Sequence, residues 1–389
     1  MTDVRGLVRT TRSAATFCLG VSLIANVFLA SSMLDDLNLM LMVGVIALSF
    51  AASTGSSRVI GILLFASSIA LLLHSQAPLD VWKQALRENS YLIAMFVLVP
   101  LLSIPVQHGG YGESLREVFV RYANTDSRYY ALVSSMAAFV GVLISIAAVP
   151  LTYEVSRASG CNYDEKLLAS ALSRGFITCM IWAPTSATIA LVVQLTGVDW
   201  VAFFPFAIAC ALIAGAVGFL MTFVRDEAAK ASSDEAEAPA GKIDAGKVVE
   251  LSAFAFLLVV SVAATSQLGG LSAIVVVAMA SLVFPVAWMA AIGRLPTYAR
   301  EFRGDYFNNK LPQSKNQIVL FAGAGFFAQS IGYSHLGDAL VGSLLHMTGQ
   351  SVLLLTVAII GITLATSAVG IHPLSLIHIS EPTRQAEIS

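Results

Sequence analysis

Residues Arg174 to Thr188 read Arg-Gly-Phe-Ile-Thr-Cys-Met-Ile-Trp-Ala-Pro-Thr-Ser-Ala-Thr. The stretch is apolar enough to enter a bilayer, yet Trp182, Pro184, Thr185, Ser186 and Thr188 stand halfway along it. Proline lacks an N–H to donate, and its ring clashes with the carbonyl four residues back. In hydrocarbon a freed carbonyl must find a partner, so a broken span survives only inside protein or beside water. Either the hydroxyls bond back to their own helix and the span is merely kinked, or the break offers them to a solute or ion, as discontinuous helices of secondary transporters do. A second break of similar composition, Thr366-Ser-Ala-Val-Gly-Ile-His-Pro373, favours the second reading.

Composition sets the solvent. Of 389 residues, 57% are hydrophobic and 12% charged, with mean hydropathy +0.79. Soluble domains carry about 25% charged residues. The expectation is an all-α polytopic membrane protein. A net charge of -2 argues against a nucleic-acid partner. Cys18, Cys161, Cys179 and Cys210 are scattered without metal-type spacing.

About eleven apolar segments are legible, at 14–34, 38–53, 58–74, 90–106, 130–152, 175–195, 199–223, 248–265, 269–293, 317–332 and 352–372. Arg5, Arg9 and Arg12 precede the first, which reads as a retained span with a cytoplasmic N-terminus. Several runs fall short of the roughly 20 residues a straight crossing needs. The run 90–106 contains Pro100 and Pro105 and is the best candidate for a re-entrant segment. The stretches Leu79–Asn89 and Glu113–Arg128 are amphipathic and are expected along the membrane surface. The resulting division is an extra span at 1–37, a first membrane repeat at 38–224, a polar linker at 225–247 and a second repeat at 248–373.

A shift of 225 residues lays Ile93, Phe96, Gly112 and Leu115 over Ile318, Phe321, Gly337 and Leu340. With a small slip, Ser145 and Pro150 fall near Ser367 and Pro373. Parity adds to this. Nine single crossings before the basic loop Arg294–Asn316 would place that loop outside, against the positive-inside tendency. One run per half that dips in and returns restores it and makes the two repeats inverted. Residues 374–389 break the pattern. Leu374 to Arg384 looks like an in-frame translation of a sequencing-library adapter, so this tail is read as an artefact and the natural chain as continuing beyond Pro373.

The candidate binding residues are therefore Ser145, Trp182, Pro184, Thr185, Ser186 and Thr188 in the first repeat, and Thr366, Ser367, Gly370 and His372 in the second. Hydroxyls and loose carbonyls suit sodium, and donors at a half-helix N-terminus suit a carboxylate or oxyanion. His372 either takes a proton or anion, or stays neutral on a nearby carbonyl. Arg174 reads as a span-end anchor, and Glu113 and Asp338 as caps of short interfacial helices. There is no Gly-rich phosphate loop and no metal-ligand cluster, so neither ATP-driven pumping nor a resident cofactor is expected.

The Trp182-Ala-Pro-Thr-Ser-Ala-Thr188 break, its incomplete partner at 366–373 and the central linker resemble the ion-transporter superfamily. That superfamily includes divalent-anion/sodium symporters, arsenite permeases, sodium/proton antiporters of the NhaD type and C4-dicarboxylate carriers. The Ser-Asn-Thr signature of the dicarboxylate members is absent from both breaks. The resemblance implies an elevator-like carrier of the inner membrane, coupled to Na+ or H+ and often homodimeric. The expected function is a permease for a small anionic solute and not an enzyme. The alternatives are a cation/proton antiporter, which calls for an intramembrane carboxylate, and an integral-membrane glycan or lipid enzyme.

Overall fold

A lipid-embedded chain must satisfy every backbone amide within its own segment, which leaves helices as the economical solution for a sequence of this composition. The computed structural model describes residues 2–159, 164–229, 245–349 and 351–368. Among these there is no strand. Among the described residues, nine helical segments are long and apolar enough to cross a membrane, two of them (Leu79–His108 and Glu165–Thr196) made of successive shorter helices, and they overlap the nine apolar runs before Arg294. Four of them, Ser32–Ala52, Ser56–His74, Trp200–Val224 and Gly246–Gly269, bury no more than 28% of their apolar window inside the protein. Leucines, isoleucines and phenylalanines left outside on that scale, along helices long enough to span a bilayer, are suited to lipid contact. The chain is thus an all-α membrane-embedded protein. The last two apolar runs fall on the helices Lys315–Tyr333 and Val352–Ala368.

The boundaries differ from the sequence expectation in two instructive places. The run 14–34 is not one helix: the chain turns after Leu29, with Ala30 at φ 44°. Asn26 holds this turn, accepting from the Ser31 amide and donating to Asp35. The run 130–152 does not simply close at its proline. Asp126–Ile144 ends, a 3-10 turn takes Ser145–Ala147, and a second helix continues over Ala148–Ala158.

The chain forms two compact units. The first comprises Met1–Val97, Gln194–Gly197 and Phe307–Ser389, and the second Leu98–Val193 and Val198–Tyr306. In the first unit, Lys315–Tyr333 packs along Ser56–His74 because glycines let the backbones approach. Gly61 lies against Val319, and Gly323 against Leu64 and Phe65. Phe326 stacks on Phe65 at 5.4 Å and meets Trp82 at 6.0 Å. Trp82 and Ala85 belong to Leu79–Arg87, so this amphipathic helix buries one face on protein.

In the second unit, Asp126–Ile144 and Glu165–Trp182 are joined at Gly175 on Ser134 and at Gly141, where an added Cβ would stand 2.8 Å from Cys179 Sγ. Close approach at small residues substitutes for a hydrophobic driving force that lipid does not supply. Phe254 stacks on Trp288 at 4.2 Å, tying Ala245–Gly269 to Ala273–Ala291. A polar girdle closes one end of this pair. Trp288 donates to the Tyr111 hydroxyl (2.8 Å), Tyr111 donates to Glu250 (2.6 Å), and Lys247 donates to the other Glu250 oxygen (2.9 Å). Arg294 Nη1 donates to the His108 carbonyl (2.6 Å). Tyr111–Tyr122 starts there, and its Glu113 pairs with Arg116 (2.6 Å) without capping the helix.

Candidate functional site

The span carrying Pro184 is broken. Glu165–Trp182 stops, residues 183–186 form a turn, and Ala187–Thr196 begins a new helix. Pro184 is buried in that turn, with Ala183, Thr185 and Ser186 around it. Several of the groups freed at the break have partners. The Ser186 amide donates to the Ala183 carbonyl (3.0 Å), and the Ser186 carbonyl accepts from Ala190, opening the next helix. Ser186 Oγ donates to the Met180 carbonyl at 3.3 Å. The Trp182 carbonyl accepts from Trp200 Nε1 at 3.1 Å.

Thr185 does something different. Its hydroxyl donates to the carbonyl of Val142 at 2.6 Å, on another helix. Val142 lies within the last turn of Asp126–Ile144, and an unbroken helix would have satisfied its carbonyl internally. The break at Ser145 frees it, and Thr185, 2% exposed, covers it. Ser145 itself adopts φ 51°, ψ −130°. A residue with a Cβ pays about 1–3 kcal/mol for such a conformation, which persists only where the surroundings enforce it. Two discontinuous helices therefore interlock through their breaks within the second unit.

The hydroxyls of Ser145 and Thr188, both half-buried, make no hydrogen bond among the described residues. They are the ligand-ready groups here, since Thr185 and Ser186 are committed to carbonyls. Donation leaves each of those two oxygens lone pairs with which to accept or coordinate. A cavity of about 400 Å³ lies beside the break, walled by Phe139, Val142, Trp182, Trp200, Phe204 and Val259 among others. Its lining is apolar throughout and includes none of Thr185, Ser186 and Thr188, so it suits hydrocarbon and is not where an anion would sit.

Thr366 and Ser367 fall at the end of Val352–Ala368, and their side chains lie outside the described residues, as do Gly370, His372, Pro373 and 374–389. Among the described residues, no group of three His, Cys, Asp or Glu could hold a metal ion. Sequence reasoning missed two contributors, the Val142 carbonyl and the Trp200 indole. No residue type signals a freed carbonyl, and Trp200 opens a long apolar helix in which an aromatic is unremarked. Compared with known proteins, the chain matches no protein-family model and no curated protein.

Proposed function

We propose that the protein is a secondary active transporter of a small anion, such as a carboxylate or oxyanion, coupled to Na+ or H+. The observation that carries this reading is the pair of interlocked helix breaks, with the strained Ser145 on one and the Pro184 turn on the other. Irregular backbone at membrane depth is costly, and transporter folds retain it where solute or ion is bound. On this reading Ser145, Thr185, Ser186 and Thr188 supply hydroxyls, and Trp182 and Pro184 hold the turn. Thr366, Ser367, Gly370 and His372, which the repeat places around the equivalent of Ser145, are proposed to join them.

A proposed duplication of the sequence agrees with it. A shift of 225 residues carries Ser90 onto Lys315 and His108 onto Tyr333, matching the ends of Ser90–His108 to those of Lys315–Tyr333. The same shift carries Tyr111 and Tyr122 onto Leu336 and Met347, the ends of two 12-residue helices. It also lays Gly110 (φ 88°) on His335 (φ 55°), so the turn before each helix has a left-handed residue at the equivalent position. Phe96 and Phe321, equivalent under that shift, stack on each other at 4.5 Å. Ser145 is carried onto Gly370, a residue that takes positive φ without Cβ strain.

Reconstitution tests the function. Labelled carboxylates and oxyanions should accumulate in proteoliposomes under an imposed Na+ or H+ gradient and leak back when an ionophore collapses it. Ser145→Val should reduce uptake more than it reduces incorporation into the vesicles. Tight vesicles that accumulate no anion under either gradient would count against the proposal. An inner-membrane location, a cytoplasmic N-terminus and a homodimer belong to the same proposal. The second reading, a cation/proton antiporter, gains from one observation, a carboxylate set among carboxamides in the first unit.

A further inference from the structure

Glu88 and Asn89 stand where Leu79–Arg87 gives way to Ser90–Leu98, inside the apolar segment Leu79–His108, whose window is 83% buried. Three oxygens of these two residues face the amides of two distant glutamines. Gln194 Nε2 donates both to the Glu88 carbonyl (3.0 Å) and to Asn89 Oδ1 (2.7 Å). Gln329 Nε2 donates to the Glu88 carboxylate at 2.7 Å. Asn89, 2% exposed, is fixed by donating its own amide to the Phe321 carbonyl at 2.9 Å. Gly325 makes room for it, since a Cβ there would lie 2.7 Å from Asn89 Nδ2.

From this geometry we infer that Glu88, Asn89, Gln194 and Gln329 form a sodium-binding site in the first unit. The Gln194 NH2 group sits between two oxygens, the position a small cation would take. Small hard cations are held by carboxylate, carboxamide and backbone oxygens. A carboxamide turned end for end offers its oxygen in place of its NH2 group. Rotating the termini of Gln194 and Gln329 in this way would add two oxygens to the Glu88 carbonyl and Asn89 Oδ1, which meet at Gln194, and to the Glu88 carboxylate, which meets Gln329. The single carboxylate balances a single positive charge, which selects a monovalent ion over calcium or magnesium. A clamp of purely structural purpose would make the same hydrogen bonds but would be indifferent to sodium. The inference needs nothing to bind at the Pro184 break. It supplies the proposed transporter with a coupling ion, but sodium binding without any anion tests it separately from that function.

The test uses the full chain in nanodiscs. Radiolabelled sodium should bind saturably, and replacing choline by sodium at constant ionic strength should raise the thermal midpoint. Glu88→Gln, which keeps the shape and removes the charge, should weaken binding at least about tenfold, a loss that even outer-shell partners of metal sites produce. Glu113→Gln, on the exposed face of Tyr111–Tyr122, should leave it unchanged. Should Glu88→Gln not fold, Gln329→Asn, which withdraws one ligand by a methylene, serves in its place. The inference is overturned if the unmodified chain binds no sodium saturably, responds equally to choline, or responds only to pH. It is equally overturned if Glu88→Gln binds sodium as the unmodified chain does.

Discussion

Thr185 owes its partner to a carbonyl that Ser145 sets free. Removing the hydroxyl leaves a buried acceptor unsatisfied, so Thr185→Val is expected to cost about 1–3 kcal/mol, whereas Thr185→Ser should cost less because it keeps the donor. Thermal unfolding in detergent compares the two. Ser145 can be tested by conformation alone. Ser145→Gly is expected to be tolerated, and Ser145→Val to lose roughly 1–3 kcal/mol because a β-branched side chain is strained at positive φ. Equal stability of the two variants would mean that the backbone there is not constrained. Three phenols report on the second unit. Burial pushes Tyr298 up to about 12 and raises Tyr306 further. Burial, then the hydrogen bond to Glu250, raises Tyr111. A folded pKa above the unfolded value of about 10 contributes stability that is present below that pH and lost as pH rises through the folded value. Stability is therefore expected to decline above about pH 10, and less steeply in Tyr111→Phe. A flat profile across that range would refute the assignment.

At the scale of elements, glycine and proline carry the architecture. The Glu165–Trp182 and Asp126–Ile144 helices approach closely only because residues 141 and 175 lack a Cβ. Gly175→Leu should separate them and cost about 1–3 kcal/mol or more, the usual penalty of overpacking, read as a lower thermal midpoint. Gly215→Ala, with open space at its Cβ, should be nearly silent. Much of this level was legible in the sequence. Pro184 announced the first break, and Pro100 and Pro105 announced the passage from Ser90–Leu98 through a 3-10 turn to Ser103–His108. The break at Ser145 was read only as the end of a span, because serine carries no local signal for positive φ. The polar face of Leu79–Asn89 predicts a helix along the membrane surface. What hid Glu88 was that same face: a carboxylate on an amphipathic helix reads as solvated until Gln194 and Gln329, far away in sequence, are brought beside it.

For the whole molecule, the proposed duplication makes a testable claim about the first unit. In a chain whose native cysteines are replaced, Phe96→Cys and Phe321→Cys should be joined by a short thiol cross-linker, since the two rings stack at 4.5 Å. A pair without cross-linking in folded protein would remove the main spatial support for the duplication.

By itself the sequence determined the solvent and the class of structure. With 57% hydrophobic residues, 12% charged and long uninterrupted apolar runs, the chain satisfies its backbone in lipid as helices, and its prolines dictate where some of them break. Tertiary structure alone decided which groups meet at those breaks. Thr185 on Val142, Trp200 on Trp182 and Gln329 on Glu88 join residues 43, 18 and 241 positions apart. Such pairings are fixed by the packing of glycine-lined helix faces, and a pattern of hydropathy read along the chain contains no information about which face lies against which.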